Sequence, residues 1–392
     1  MGFGLGKDSP VVLSFGRANY EALIERHGQF VRWRTAAKCP CANRQTRQPE
    51  PDCLRCGGLG FIYSFQEKTT VTHDVMVADG SGITELPAEY ADCRLEKVYG
   101  HDGREYGAAK HGQFVTLDPA CGLGKGTFLT VVMESKTAGT LRETACRNAG
   151  GGYYRAEGLR FRRDGIEGIC HDVPADIVKI GRITDAAGLE YEAEELRLDM
   201  FRIRPKAAAV GNAAGPETAV TEPVRAENVE YVPPFVFALS SQNLSKEDSQ
   251  TMSAAKGDAV LTFPYGCDVS EGDILTALSG THTQKEVVMR TDGDGDTVGA
   301  YFVTKIVSCT GRNREYTEGT DFVLAGTNRL LWLCADAPEP GEPYGLTYRL
   351  CPTYRVSKGI PQIRTGENQR LPGKAVVEYF GTYGEQRGAN RQ

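Results

Sequence analysis

The chain has 392 residues, of which 40% are hydrophobic and 24% charged, with a formal net charge of −6. That length suits two or three domains with cores of their own, in a composition ordinary for a globular chain. The acidic balance excludes a polycation that coats nucleic acid over its whole surface, leaving local patches as a separate matter.

Gly is frequent at 46 residues, beside 17 Tyr and 15 Phe, a mixture that favours many short strands and turns over a helical bundle. The N-terminus, Met1-Gly-Phe-Gly-Leu-Gly-Lys, has neither a charged nor an apolar leader segment, so no signal peptide is expected. No apolar run approaches the roughly 20 residues of a spanning helix, and no membrane partner is expected. Without an export signal, the 12 Cys point to a reducing compartment.

Residues 1–16 are Gly-rich and read as an arm. Ala18–His27 is predicted to be a short helix: Tyr20, Leu23, Ile24 and His27 share one face, and Gly28 sits at the stop position. Together with the cysteine segment that follows, residues 1–65 are expected to form an N-terminal module. Residues 66–205 read as a β domain. Val71, His73, Val75 and Val77 alternate, and Gln113–Leu117, Phe128–Met133, Ile177–Ile183 and Leu196–Ile203 are strand-like. Asp185-Ala-Ala-Gly188 marks a hairpin turn. Residues 206–228 are rich in Ala and Gly, lack large apolar side chains at their core and read as a linker. Residues 229–392 read as a C-terminal β-sandwich, with strand-like runs at Ala259–Phe263, Thr297–Val307, Phe322–Leu324, Arg329–Cys334, Gly345–Val356 and Ala375–Tyr383. The predicted fold is mainly β: two β-sandwich or barrel-like domains, a short N-terminal helix and a zinc-knuckle module.

The most specific chemical signal is Cys39-Pro-Cys41, then 11 residues, then Cys53-Leu-Arg-Cys56-Gly-Gly. Two local cysteine pairs joined by a loop supply the four soft ligands of a tetrahedral zinc site at low entropic cost. Glycines after Cys56 let the backbone turn its N–H groups towards the sulfurs. This second half resembles one arm of the DnaJ-type zinc domain, whereas Cys-x-Cys is tighter than the usual first half. A structural zinc is the favoured expectation, with two disulfides or free thiols as alternatives; a closed four-thiolate shell has no open position for catalysis. Arg32, Arg34, Lys38, Arg44, Arg47 and Arg55 surround the cluster, with Trp33 among them. Basic residues interleaved with an aromatic can grip a nucleic-acid backbone, and the bland reading is a charged face that offsets the site.

Other suggestive stretches fail their tests. Cys121-Gly-Leu-Gly-Lys125-Gly-Thr127 lacks phosphate-loop spacing and reads as a β-turn. Asp292-Gly-Asp294-Gly-Asp296 lacks the later ligands of a calcium loop and reads as a solvated acidic turn. Cys170-His171 has no strand-to-helix context for a nucleophile. No spacing singles out a pair of carboxylates, and no catalytic residue is assigned.

The order of features resembles structural proteins of the neck of tailed bacteriophages. The residues that carry the likeness are Val31-Arg-Trp-Arg34, Cys39-Pro-Cys41, and Cys53-x-x-Cys56-Gly-Gly-x-Gly-Phe-Ile-Tyr63. Further along, Gly319-Thr-Asp-Phe-Val-Leu precedes Gly326-Thr-Asn-Arg-Leu-Leu-Trp332, then Tyr344, Tyr348, Tyr354, Val356 and Leu371-Pro372. The likeness covers the first 65 residues and about residues 318–372. It implies a non-enzymatic head-to-tail connector or collar protein of the virion, assembled in the host cytoplasm. Its partners would be copies of itself in a six- or twelve-fold ring, other neck and tail proteins, and DNA in the channel. The competing expectations are a zinc-ribbon nucleic-acid-binding protein and a tail or baseplate structural protein.

Overall fold

A computed structural model describes residues 22 and 24–380, apart from 42, 44–47, 51–52, 54, 57–59, 67, 78–81, 101–102, 119–122, 124, 165–169, 207–219, 241–258, 265, 294, 313 and 361–372. The fold is mainly β, with barrel-like closed sheets. Ala22 and residues 24–27 are helical, and the Gly28 N–H closes the turn on the Ile24 carbonyl at 2.7 Å, where a helix stop was expected.

One barrel acts as a hub. Its strands run in the spatial order Phe235–Ser240, Ala259–Phe263, Gly373–Phe380, Thr353–Ile360, Ile274–Ala277 and Gln29–Lys38, with Phe61–Phe65 added beyond the last. Gln29–Lys38 also pairs back onto Phe235–Ser240, from Gln29↔Phe237 to Val31↔Phe235, so the ring closes. Val31, Trp33, Phe237, Leu261, Leu275, Val356 and Val377 fill it. Alternation along Gln29–Lys38 turns Val31 and Trp33 inward, each worth about 1.5–3 kcal/mol of burial, and leaves Arg32 and Arg34 on the outer face.

The chain leaves this hub twice and returns each time. The first excursion contains two units. One is a pair of packed sheets over residues 68–136, around Val75, Val98, Val115, Leu129, Val131 and Met133. The other is a closed barrel of Gly139–Gly150, Tyr153–Ala156, Met200–Pro205, Glu190–Arg197, Asp176–Thr184 and Val224–Val232, around Leu159, Ile183, Phe201 and Val229. The second excursion, over residues 282–350, stacks the sheets His282–Met289/Pro343–Leu350/Val303–Thr310/Glu315–Tyr316 and Gly295–Thr297/Arg329–Trp332/Phe322–Ala325 on a core of Phe322, Leu330, Tyr344, Leu346 and Tyr348.

These pairings redraw the expected domain boundaries. The described part of 1–65 is not a module of its own: Gln29–Lys38 lies between strands from residue 235 onward, and its apolar side chains complete their core. Residues 66–205 hold one complete unit and most of a second. The core of the expected linker, 207–219, lies outside the described residues, while 224–228 belong to a barrel strand paired on both sides. Residues 229–392 combine hub strands with the sandwich. Three expected strands are each two: Leu196–Ile203 turns at Leu198, which has φ +54°; Thr297–Val307 divides between two sheets; and Gly345–Val356 breaks at Cys351-Pro352. The Asp185 turn forms as expected, with its carboxylate accepting from the Leu189 N–H at 2.9 Å.

Candidate metal centre

The second half of Gln29–Lys38 pairs with Phe61–Phe65, in register from Arg34↔Phe65 to Lys38↔Phe61, and its pairing with Ile274–Ala277 ends at Arg34↔Ile274. This two-stranded ribbon extends past the closed ring. A hydroxyl contact of 2.9 Å between Thr35 and Ser64 and a stacked Phe61–Tyr63 pair, with centroids 6.5 Å apart, stiffen it. Asp273 fixes its root. That buried carboxylate accepts from the Trp33 indole at 2.9 Å, the Ala36 N–H at 2.8 Å and the Ser270 N–H at 2.9 Å. Burial still holds the Asp273 carboxyl above the usual carboxylate range, against the pull of those donors.

The four cysteines sit at the ribbon's tip. The Cys39 N–H donates to the Gly60 carbonyl at 2.8 Å, one further rung of the ladder, and Gly60 closes the loop at φ +77°, a conformation that favours glycine. Cys53 donates its N–H to the Glu50 carbonyl at 3.2 Å. The four sulfurs lie within 4.8 Å of one another. Cys39 Sγ is 3.8 Å from Cys53 Sγ, and Cys41 Sγ is 3.5 Å from Cys56 Sγ. A tetrahedron of sulfurs at about 2.3 Å from a central ion has edges of about 3.8 Å, so the observed spacing fits a four-thiolate metal site. It is far from the roughly 2.0 Å of a disulfide, and no two of the four are bonded to each other.

The surroundings suit anionic sulfur. The Gly60 N–H donates to Cys56 Sγ at 3.3 Å. The Cys56 and Arg55 N–H groups face Cys53 and bring its thiol down to about 7. Desolvation pushes the neighbouring Cys41 up to about 12, although the Glu50 N–H opposes this. Packed thiols resist shared ionisation, and a bound cation removes that conflict by neutralising the charge they develop. Cys39, Cys41, Cys53 and Cys56 therefore form a cluster that could hold a metal ion, each offering one sulfur.

The six basic residues separate into three groups. Lys38 and Arg55 are exposed beside the knuckle. Arg44 and Arg47 lie outside the described residues. Arg32 and Arg34 are not free for nucleic acid: both point from the hub's outer face into the joint between units. Arg32 Nε donates to Asp176 Oδ1 and Oδ2 at 2.9 and 2.8 Å, and its guanidinium lies 5.1 Å from the centre of the Phe302 ring. The Arg34 guanidinium stacks 4.0 Å over Phe65, and burial lowers its proton affinity, with Arg32 adding to the effect.

The remaining candidates are structural. Asp296 is fully buried, which corrects its reading as part of a solvated turn. It accepts from the Thr291 N–H and hydroxyl at 2.7 and 2.9 Å, and from Trp332 Nε1 and Tyr344 OH at 2.8 Å each. Asp294 lies outside the described residues; Asp292 is exposed. Lys125 and Gly126 occupy a turn that leads into Phe128–Lys136, a strand and not a helix. Cys170 is exposed on a hairpin, opposite Asp164. Cys309 sits in the sandwich core, where burial pushes its thiol up to about 12. Nothing in the sequence singled out the buried carboxylates Asp176 and Asp273, and the burial of Asp296 was equally unmarked. Their partners lie as far as 240 residues away, and no local pattern marks them.

No protein-family model matches the sequence, and no curated protein matches it either. Among the described residues no helix is long and apolar enough to cross a membrane.

Proposed function

We propose that this chain is a zinc-stapled structural subunit of a tailed-phage virion, one that forms a neck or collar ring and joins head to tail around the DNA channel. The observation that carries the reading is the ribbon 35–38/61–64, clamped to the hub by Asp273 and tipped by four converging thiols. A ring subunit needs a stiff arm that reaches a neighbour, and a metal staple gives a loop with little apolar content its fixed shape. Zinc suits the site because it accepts four thiolates in a tetrahedron with no preference for an open position. Its chemistry there is cross-linking alone. The buried carboxylates support a non-enzymatic role, since Asp176, Asp273 and Asp296 spend their lone pairs on internal donors. On this reading the protein assembles in the host cytoplasm and resides in the virion.

Native mass spectrometry before and after chelator tests it. One zinc per chain in assemblies of six or twelve is the expected result. A metal-free monomer that stays monomeric beside other neck proteins overturns it. Exposed Lys38 and Arg55 favour one second reading, a nucleic-acid contact confined to the knuckle. That reading requires DNA affinity that falls steeply with salt and falls again in Lys38→Ala/Arg55→Ala.

A further inference from the structure

We infer that the knuckle is an oxidation-sensitive staple that closes into two particular disulfides, Cys39–Cys53 and Cys41–Cys56. Sulfur contacts of 3.8 and 3.5 Å join these two pairs, in a cluster whose four sulfurs lie within 4.8 Å of one another. Each joins the first turn of the knuckle to the second. To reach bonding distance each pair has to close by about 1.5–1.8 Å, a movement within reach of side-chain rotation. Exposure divides both pairs in the same way. Cys53 and Cys41 are half-buried, while Cys39 and Cys56 are buried. Each pair thus has a member that an oxidant reaches and a shielded member held against it.

With a peroxide as oxidant the chemistry balances. The Cys53 thiolate attacks the O–O bond, gains an S–O bond as a sulfenic acid and releases hydroxide. The Cys39 thiolate then attacks that sulfur; the S–S bond forms, the S–O bond breaks, and a second hydroxide leaves. Cys41 and Cys56 react likewise. Two peroxides take four electrons from four thiolates, four protons from solvent convert the hydroxides to water, and the divalent ion returns to solution with its charge unchanged. Both bridges still tie one turn to the other, so the tip stays closed without the ion. A bridge within Cys53-x-x-Cys56 would leave the turns unlinked.

The pairing stands on the sulfur geometry; the release of zinc rests on the proposed function. A particle that leaves a reducing cytoplasm for an oxidising exterior would exchange one staple for the other.

The test treats the full chain with hydrogen peroxide, follows zinc with a chromophoric indicator, and maps bridges by mass spectrometry of unreduced, alkylated peptides. The expected result is one zinc released per chain, loss of the four knuckle thiols, bridges Cys39–Cys53 and Cys41–Cys56, and continued exchange protection of the Cys39 amide. Bridges Cys53–Cys56 or Cys39–Cys41, a scrambled mixture, or zinc release without bridging overturns the inference. A chain that carries no zinc at the start yet maps to the same pairs refutes the zinc reading and leaves the pairing intact. In Cys53→Ser, Cys41–Cys56 still forms and Cys39 remains a thiol; a new partner for Cys39 counts against the inference.

Discussion

Arg32 and Asp176, 144 residues apart, meet through one guanidinium nitrogen that donates to both carboxylate oxygens. Arg32 belongs to the hub strand, Asp176 to the second barrel, and Phe302, from the sandwich, lies against the same guanidinium. A single side chain therefore touches three units. Both partners are less than a tenth exposed, so removing one strands the other's charge away from water. Asp176→Ala should cost about 3–5 kcal/mol in urea unfolding, and Arg32→Met/Asp176→Leu distinctly less. A loss in Arg32→Met/Asp176→Leu equal to the sum of the losses in Arg32→Met and Asp176→Leu would mean the two residues are not coupled.

Asp296 holds the sandwich core by a different balance. Burial alone would raise its carboxyl, but the Thr291 N–H, Trp332, Tyr344 and the Thr291 hydroxyl outweigh it and hold the group below its ordinary 3.8. A depressed carboxyl contributes stability that is fully present above its unfolded value and is lost as pH falls through the folded one. Asp296→Ala should cost at least about 3 kcal/mol at pH 7, because it leaves buried donors unpaired. Stability measured against pH should show the gap between wild type and variant narrowing below about pH 4.

Gly151 packs the turn of the second barrel against the sandwich. Its φ is +61°, and a Cβ there would collide with Val323 Cγ1. Gly151→Ala should destabilise by about 1–3 kcal/mol through strain and overpacking. Adding Val323→Ala should recover the packing share and leave the backbone share, which thermal unfolding of both variants would separate.

Removing the metal should melt the tip and spare the hub. Val31 and Trp33 are anchored in the hub core and by Asp273, independently of the cysteines. With chelator, or in Cys53→Ser/Cys56→Ser, the Cys39 amide should lose its exchange protection while the emission of buried Trp33 stays unchanged. A red shift in that emission would show that the hub depends on the metal.

Sequence periodicity alone determined that the chain is mainly β, because alternating side chains and Gly-rich turns are local properties. It also identified the four cysteines, since ligand type and spacing are written within 18 residues. What it could not determine was which strands pair. Antiparallel partners such as Val31 and Phe235 are matched by closure of a ring, and closure leaves no mark in a short window. The same limit explains the arginines. Arg32 and Arg34 looked like part of a basic surface because their neighbours are basic; alternation about buried Trp33 sets them on the hub's outer face, and only the packing of two further units on that face encloses them. Local chemistry named the four cysteines that converge, while burial and charge pairing, which depend on contacts across hundreds of residues, were decided by the tertiary structure.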